Sequence, residues 1–357
     1  MVAYIGKLAV DRRGWLDRPT FSRGVALCQT IPGATAMQAA AYVGLKVRGV
    51  SGAVAAYSGF GLPAFVLMVA LSASYLRFHE LSAAASAFAG LRVLVVAIAA
   101  SAAYSFGRAS LKRWPQAIVA LFAAVLFYLK VNPILVILVA ALLGLTMRVP
   151  VAEAKPDETA SGRTGPGLLL LLAVAAAALA LLFLLRRDLF SLSLLFLRID
   201  LFAFGGGFSS VPLMLHEVVD VRSWLDTRTF LDGIALGQVT PGPIVITATF
   251  VGYLLYGPLG AIVATASVFF PSFALVVGLT PHWESLSRSP VFRRMLTGIL
   301  SSFVGLLLSV TLSFGLAVEW TWVKALLGAV ALTALLLKVD ILWVVLGGTL
   351  LSVALLR

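Results

Sequence analysis

The chain has 357 residues, is 61% hydrophobic and only 12% charged, and carries a formal net charge of +12. A soluble domain is about a quarter charged, and a mean hydropathy of +1.03 excludes a water-soluble helical protein. Stretches 167–185 and 257–280 hold no charge and meet the length needed to cross a bilayer, so the chain reads as an all-α, polytopic membrane protein.

In such a protein the surplus Lys and Arg belong to short loops under the positive-inside rule, and nucleic acid is not an expected partner. The lone Cys28 excludes an intrachain disulfide, and His79, His216 and His282 are too scattered for a zinc site. No cleavable signal peptide is predicted, because residues 1–13 lack an apolar core ahead of small residues.

In chain order, residues 1–23 are polar, basic and too short for a domain. Trp15 reads as an interfacial anchor and Asp17 as a helix N-cap. Helical spans are predicted near 24–45, 50–76, 84–107, 115–130 and 132–148. A polar, Pro- and Gly-bearing linker follows over 149–166. Beyond it come spans near 167–185, 189–215, 230–255, 258–280, 295–318, 321–337 and 339–356, twelve in all. The linker side carries slightly more Lys and Arg, so it is expected to face the cytoplasm.

The chain says one thing twice. Residues 15–33 and 224–242 share Trp, Leu, Asp, Thr, Phe, Gly, Ala, Leu, Gln, Pro and Gly at a constant offset of 209, eleven identities in nineteen positions. One deletion later the echo continues at 208, pairing Gly52-Ala53 with Gly260-Ala261, Pro63 with Pro271 and Gly90 with Gly298. The expected organisation is a first repeat over 1–148, the linker, a connecting membrane helix over 167–188 and a second repeat over 189–357. The second repeat opens with a glycine-rich helix whose counterpart falls before Met1. With that helix counted, two six-helix units flank a single crossing, which would invert one unit against the other.

Three stretches should break helices at membrane depth: Pro32-Gly33, Gly205-Gly206-Gly207 and Pro241-Gly242-Pro243. In hydrocarbon, unpaired backbone groups survive only where protein or water satisfies them. A helix restarting there aims free N–H groups inward and favours an anion. Uncharged polar side chains lie close in sequence: Gln29, Thr30, Thr35 and Gln38 in one copy, and Gln238, Thr240, Thr247 and Thr249 in the other. The bland alternative is a proline kink packed by glycine. Arg198 and Asp200 lie just before the triple glycine, two apart and so on different helix faces. Arg198 could hold an anion and Asp200 a proton, or each could pair internally. Arg92, opposite Leu300 in the repeat, is either a second anion contact or an internal partner. His216 and Glu217 read as the polar end of their span. No catalytic or cofactor motif is present.

The run L-F-L-R-I-D-L-F-A-F-G-G-G-F-S-S-V-P (195–212), the second-copy repeat and G-P-L-G-A-I-V-A-T-A-S-V-F-F-P-S-F (257–273) together resemble the chromate ion transporter family of bacterial inner membranes. The resemblance implies secondary active export of chromate across the inner membrane as a resistance function, without a cofactor. It also implies an oxyanion site including Pro32, Gly33, Phe204, Gly205, Gly206, Gly207, Pro241, Gly242 and Pro243. Sulfate or another oxyanion as substrate, and a non-transporting role as a partner subunit, stand as alternatives. Self-association as a homodimer is left open. The chain departs from the family pattern in three places: the first copy lacks the opening glycine-rich helix, Ala34 stands where a second Pro is usual, and Asp200 stands where Gly is frequent.

Overall fold

The computed structural model describes residues 1–78, 82–147 and 165–355, which places most of the predicted linker outside the described residues. Two short elements come first: helix α1 (Val2–Gly6) and a π-helical turn, Lys7–Arg12. Helix α2 (Arg18–Thr30) starts where Asp17 accepts the Thr20 N–H at 3.2 Å and stops at Ile31, which is extended at φ −85°, ψ 155°. Proline forces that extension on the residue before it. The chain resumes as α3 (Thr35–Phe78), which bends at Arg48-Gly49. Three helices complete the first half: α4 (Ser82–Ser110), α5 (Trp114–Tyr128) and α6 (Pro133–Leu145).

Past the linker, α7 (Gly165–Leu185) buries none of its residues and leads into α8 (Arg187–Phe202). The glycine break follows, then a continuous helical run of the 3-10 turn Gly207–Ser209, α9 (Ser210–Leu215) and the π-helical turn His216–Val221. The second half then repeats the first. Helix α10 (Thr227–Val239) is capped by Asp226, which accepts the Thr229 N–H at 2.8 Å, and ends at an extended Thr240 before Pro241. A 3-10 turn (Ile244–Ile246) feeds α11 (Thr247–Leu279). After it come α12 (Trp283–Arg288), α13 (Pro290–Ala317), α14 (Trp322–Leu336) and α15 (Ile341–Leu355).

The repeat holds at the level of backbone angles. Arg48 and Gly49 bend α3 at φ −138°, ψ 24° and φ 65°, ψ −153°. Tyr256 and Gly257 bend α11 at φ −138°, ψ 23° and φ 62°, ψ −153°. Both bends fold the helix back on itself. Gly44 meets the Gly52 carbonyl and Gly252 the Gly260 carbonyl too closely for any Cβ. Residues eight apart would stand about 12 Å apart in a straight helix. Lys130 and Lys338 adopt φ 60° and 66° at equivalent loop positions.

Two predicted features change. Residues 1–23 are not a featureless polar lead, since α1 and its π-helical turn reproduce α9 and the turn His216–Val221 one repeat earlier. Nor are all twelve spans full crossings. Helices α5, α6, α14 and α15 have 15, 13, 15 and 15 residues. At 1.5 Å per residue these reach only about 20–22 Å, short of a hydrocarbon core of about 30 Å. Among the described residues five helical stretches are long and apolar enough to span: Thr35–Phe78, Ala85–Ser110, Gly165–Leu185, Ile244–Arg288 and Pro290–Ala317.

The halves are interleaved. Helix α4 packs against α14 and α15, and its counterpart α13 packs against α5 and α6. Glycines set these approaches: a Cβ on Gly90 would overlap Ser352, and one on Gly298 would overlap the Ala140 carbonyl. Without a hydrophobic drive between membrane helices, such close backbone approach is what holds them together.

Candidate functional site

The three helix breaks converge. The Gly33 N–H donates to the Ala203 carbonyl at 2.9 Å, which ties the first break to the glycine break. A Cβ on Gly206 would lie 3.7 Å from Thr35 Oγ1. One on Gly207 would lie 3.4 Å from the Ile244 and Val245 side chains and 3.8 Å from Pro243. The contacts are also reciprocal. Gly33 abuts Ser272 of α11, while Gly242 abuts Ala64, the matching position of α3. Each proline–glycine break is thus seated against the long bent helix of the other half.

The glycine break is possible only with glycine. Gly205 has φ 92°, and Gly206 has φ 101° and ψ −179°, a region closed to residues with a Cβ. What it achieves is a gathering of helix starts. α3 begins at Thr35, one 3-10 turn at Gly207 and another at Ile244. No side chain caps either turn, so their first N–H groups remain free donors at the positive end of the helix dipole.

The predicted polar side chains divide into three groups. Gln238 keeps a buried, unpartnered Nε2 and lines a small cavity of about 10 Å³ together with Phe208 and Ile244. A second cavity, of about 310 Å³, shares Phe208 and reaches Gly205, Ser209 and Phe106. Thr35 is half-buried beside Gly206, and Phe204 is half-buried beside the break. A second group spends its hydroxyls locally. Thr240 donates to the Gly237 carbonyl and Thr247 to the Ile244 carbonyl, each at 2.8 Å, and Thr249 pairs with Thr265 at 2.6 Å. The third group faces away: Gln29 and Pro241 are exposed, and Thr30 donates to the Ala26 carbonyl at 2.7 Å. The Gln29–Gln238 match in sequence is therefore not a match in environment.

Beside Gly33 lies a second polar cluster. Asp200 is fully buried; its Oδ2 accepts the Ser272 N–H at 2.8 Å and its Oδ1 has no partner. The Ser272 hydroxyl meets the Tyr57 hydroxyl at 2.9 Å, and that hydroxyl also reaches the Phe269 carbonyl at 2.9 Å. Gln38, fully buried, donates to the Pro32 carbonyl at 2.5 Å and leaves its Oε1 unpartnered. Among the described residues no Lys or Arg forms an ion pair with Asp200. A buried carboxylate without a cation is expensive.

The intramembrane arginines take other partners. Arg92 makes a bidentate pair with Asp232, both bonds at 2.7 Å, and the Tyr75 hydroxyl adds a third at 3.1 Å. This joins α4 of one half to α10 of the other and resolves the two readings of Arg92 in favour of internal pairing. Arg198 pairs with Glu217, which also faces Arg222 at 3.6 Å. Hence Arg198 is held by Glu217 and lines neither cavity at the junction, and His216 and Glu217 are both buried at the end of their helical run, where Glu217 meets the two arginines. Sequence reasoning passed over Asp232. The available signal was an acid inside an apolar run, standing opposite Arg23 in the repeat.

A duplicated helical architecture with discontinuous helices meeting in its interior defines a polytopic membrane transporter. Residues 1–145 and 190–353 match the family described as Chromate transporter, and the chain belongs to that family. An uncharacterized transporter of Methanocaldococcus jannaschii is 41% identical over 351 residues, covering 97% of this chain and 87% of its own. Chromate transport proteins of Pseudomonas aeruginosa and Cupriavidus metallidurans are 31% and 28% identical, each over 85% of this chain and 73% and 75% of theirs. No solved structure matches.

Proposed function

We propose that the protein is a secondary active exporter of chromate in the inner membrane, that it confers chromate resistance, and that its two halves are inverted in the bilayer and alternate access around the Gly205–Gly207 junction. The observation that carries this reading is the meeting of three helix starts, two of them without a side-chain cap, beside Gln238, whose Nε2 is buried and unpartnered. Free N–H donors and a neutral amide suit a tetrahedral dianion, since they bind charge without a bound counter-ion to exchange. Two negative charges leaving a negative-inside cell gain about 4.6 kcal/mol per 100 mV, so export runs electrically downhill.

The test is flux from chromate-loaded proteoliposomes. Gln238→Ala removes one donor to a charged ligand, and a loss of about 10- to 100-fold in flux is expected at unchanged expression. Unchanged flux would remove Gln238 from the site. Sulfate in the same vesicles discriminates the rival substrate: if it competes as well as chromate itself, the protein is a general oxyanion carrier.

Asp200 supplies the coupling in this reading. Its carboxyl accepts the Ser272 N–H, and Ser272 abuts Gly33, whose own N–H donates to the Ala203 carbonyl at the glycine break. A proton on the carboxyl lowers the repulsion felt by an arriving dianion. Asp200→Asn mimics the neutral acid, so its flux should no longer respond to an imposed pH gradient, while wild-type flux does. A retained pH response in Asp200→Asn would assign coupling elsewhere.

A further inference from the structure

Helix α7 stands off from the body. It meets α8 and α11 through partly buried residues such as Leu168, Leu171 and Leu182 and through Phe183 against Phe190, while Gly167 abuts Val50 of α3, and between the three helices lies a cleft of about 750 Å³. The wall is apolar: Leu168 and Leu172 from α7, Leu194 and Leu201 from α8, Pro271 and Leu275 from α11. Two charged side chains interrupt it, Arg198 and Arg222. They share a single acid, Glu217, and keep 41% and 33% of their side-chain surface exposed against 8% for Glu217. The trio therefore carries one uncompensated positive charge, turned toward the cleft rather than inward. Arg222 also stacks its guanidinium 5.0 Å from the Trp224 ring centre, and tryptophan sits at headgroup level in membrane proteins.

We propose that this cleft binds one anionic phospholipid, with its phosphate on Arg198 and Arg222 and an acyl chain along the leucine wall. Charge complementarity selects the headgroup. A guanidinium fork matches phosphate oxygens, and basic pockets between membrane helices favour anionic lipids over zwitterionic ones. The apolar length of the cleft suits a chain and not a free ion. The lipid fills the space that α7 leaves open, so it docks α7 onto α8 and α11. This site is separate from the anion junction, because Arg198 and Asp200 leave opposite faces of α8.

Delipidated protein in detergent, offered equal amounts of phosphatidylglycerol and phosphatidylcholine, tests the proposal by native mass spectrometry. One net charge predicts about fivefold preferential retention of phosphatidylglycerol. The double variant Arg198→Gln/Arg222→Gln should bring the two lipids to parity. That variant leaves Glu217 without its cations, so a second probe keeps the charges and fills the cleft: Ala274→Phe should reduce retention of both lipids and lower the lipid-dependent rise in Tm. Equal retention of both lipids by the wild type would overturn the proposal. So would an unchanged phosphatidylglycerol preference in both variants, or a rise in Tm with inorganic phosphate equal to that with the lipid.

Discussion

Arg92→Ala is expected to cost about 3–5 kcal/mol of stability, the figure for removing one partner of a buried ion pair. The reason is Asp232, whose side chain is only 2% exposed. Without Arg92 its carboxylate keeps one hydrogen bond from Tyr75 and no charge partner. The loss would be felt where function is set, since α10 carries both Asp232 and, at its end, the break before Pro241. A paired replacement separates charge from packing. Arg92→Met with Asp232→Leu removes both charges, and buried pairs exchanged for apolar residues are often neutral or better. Unfolding in mixed micelles should therefore rank Arg92→Ala lowest and return the double variant to near wild type. An Arg92→Ala protein as stable as the wild type would show that water reaches the pair, as the 25% exposure of Arg92 would then explain.

The second large effect is expected at Gly206. Alanine there meets no wall, the nearest heavy atom being Thr35 Oγ1 at 3.7 Å. What it meets is the backbone. At φ 101° and ψ −179° a side chain costs about 1–3 kcal/mol, and the loop relieves that strain by turning its peptide groups. Those same peptides aim the Gly207 and Phe208 N–H groups. Gly206→Ala should therefore reduce chromate flux by at least about tenfold while the protein still folds and elutes as the wild type does. Gly59→Ala provides the comparison: it lies in α3 with nothing within 4 Å, and helix propensity favours alanine there by about 1 kcal/mol. If both variants transport normally, the glycine break does not shape the anion site.

The sequence disclosed whatever is local. Proline fixes the residue before it, so the ends of α2 and α10 could be read from Pro32 and Pro241, and their starts from Asp17 and Asp226. The offset of 209 disclosed the duplication, and with it the matched seats of Gly33 and Gly242. The same register places residues 1–14 opposite 210–223, so α1 was present in the pattern but hidden by its shortness and by the charges that follow it. Long-range pairing was out of reach. Arg92 and Asp232 are 140 residues apart, and nothing near either names its partner. Arg198 and Asp200 show the intermediate case. Their spacing of two does predict different faces, but which face meets Ser272 and which meets the α7 cleft depends on neighbours that arrive from elsewhere in the chain.

The exchange of covering helices between halves bears on how the molecule is made. When the ribosome completes α4, the helices that will shield it, α14 and α15, are unsynthesised. At about 5–20 residues per second the wait is on the order of ten seconds or more. For roughly the first half of that wait Arg92 sits in the bilayer or the translocon without Asp232. The nascent first half is thus an open clasp that closes only around the last segments to emerge, which makes the C-terminal hairpin the step that commits the whole protein to its native form.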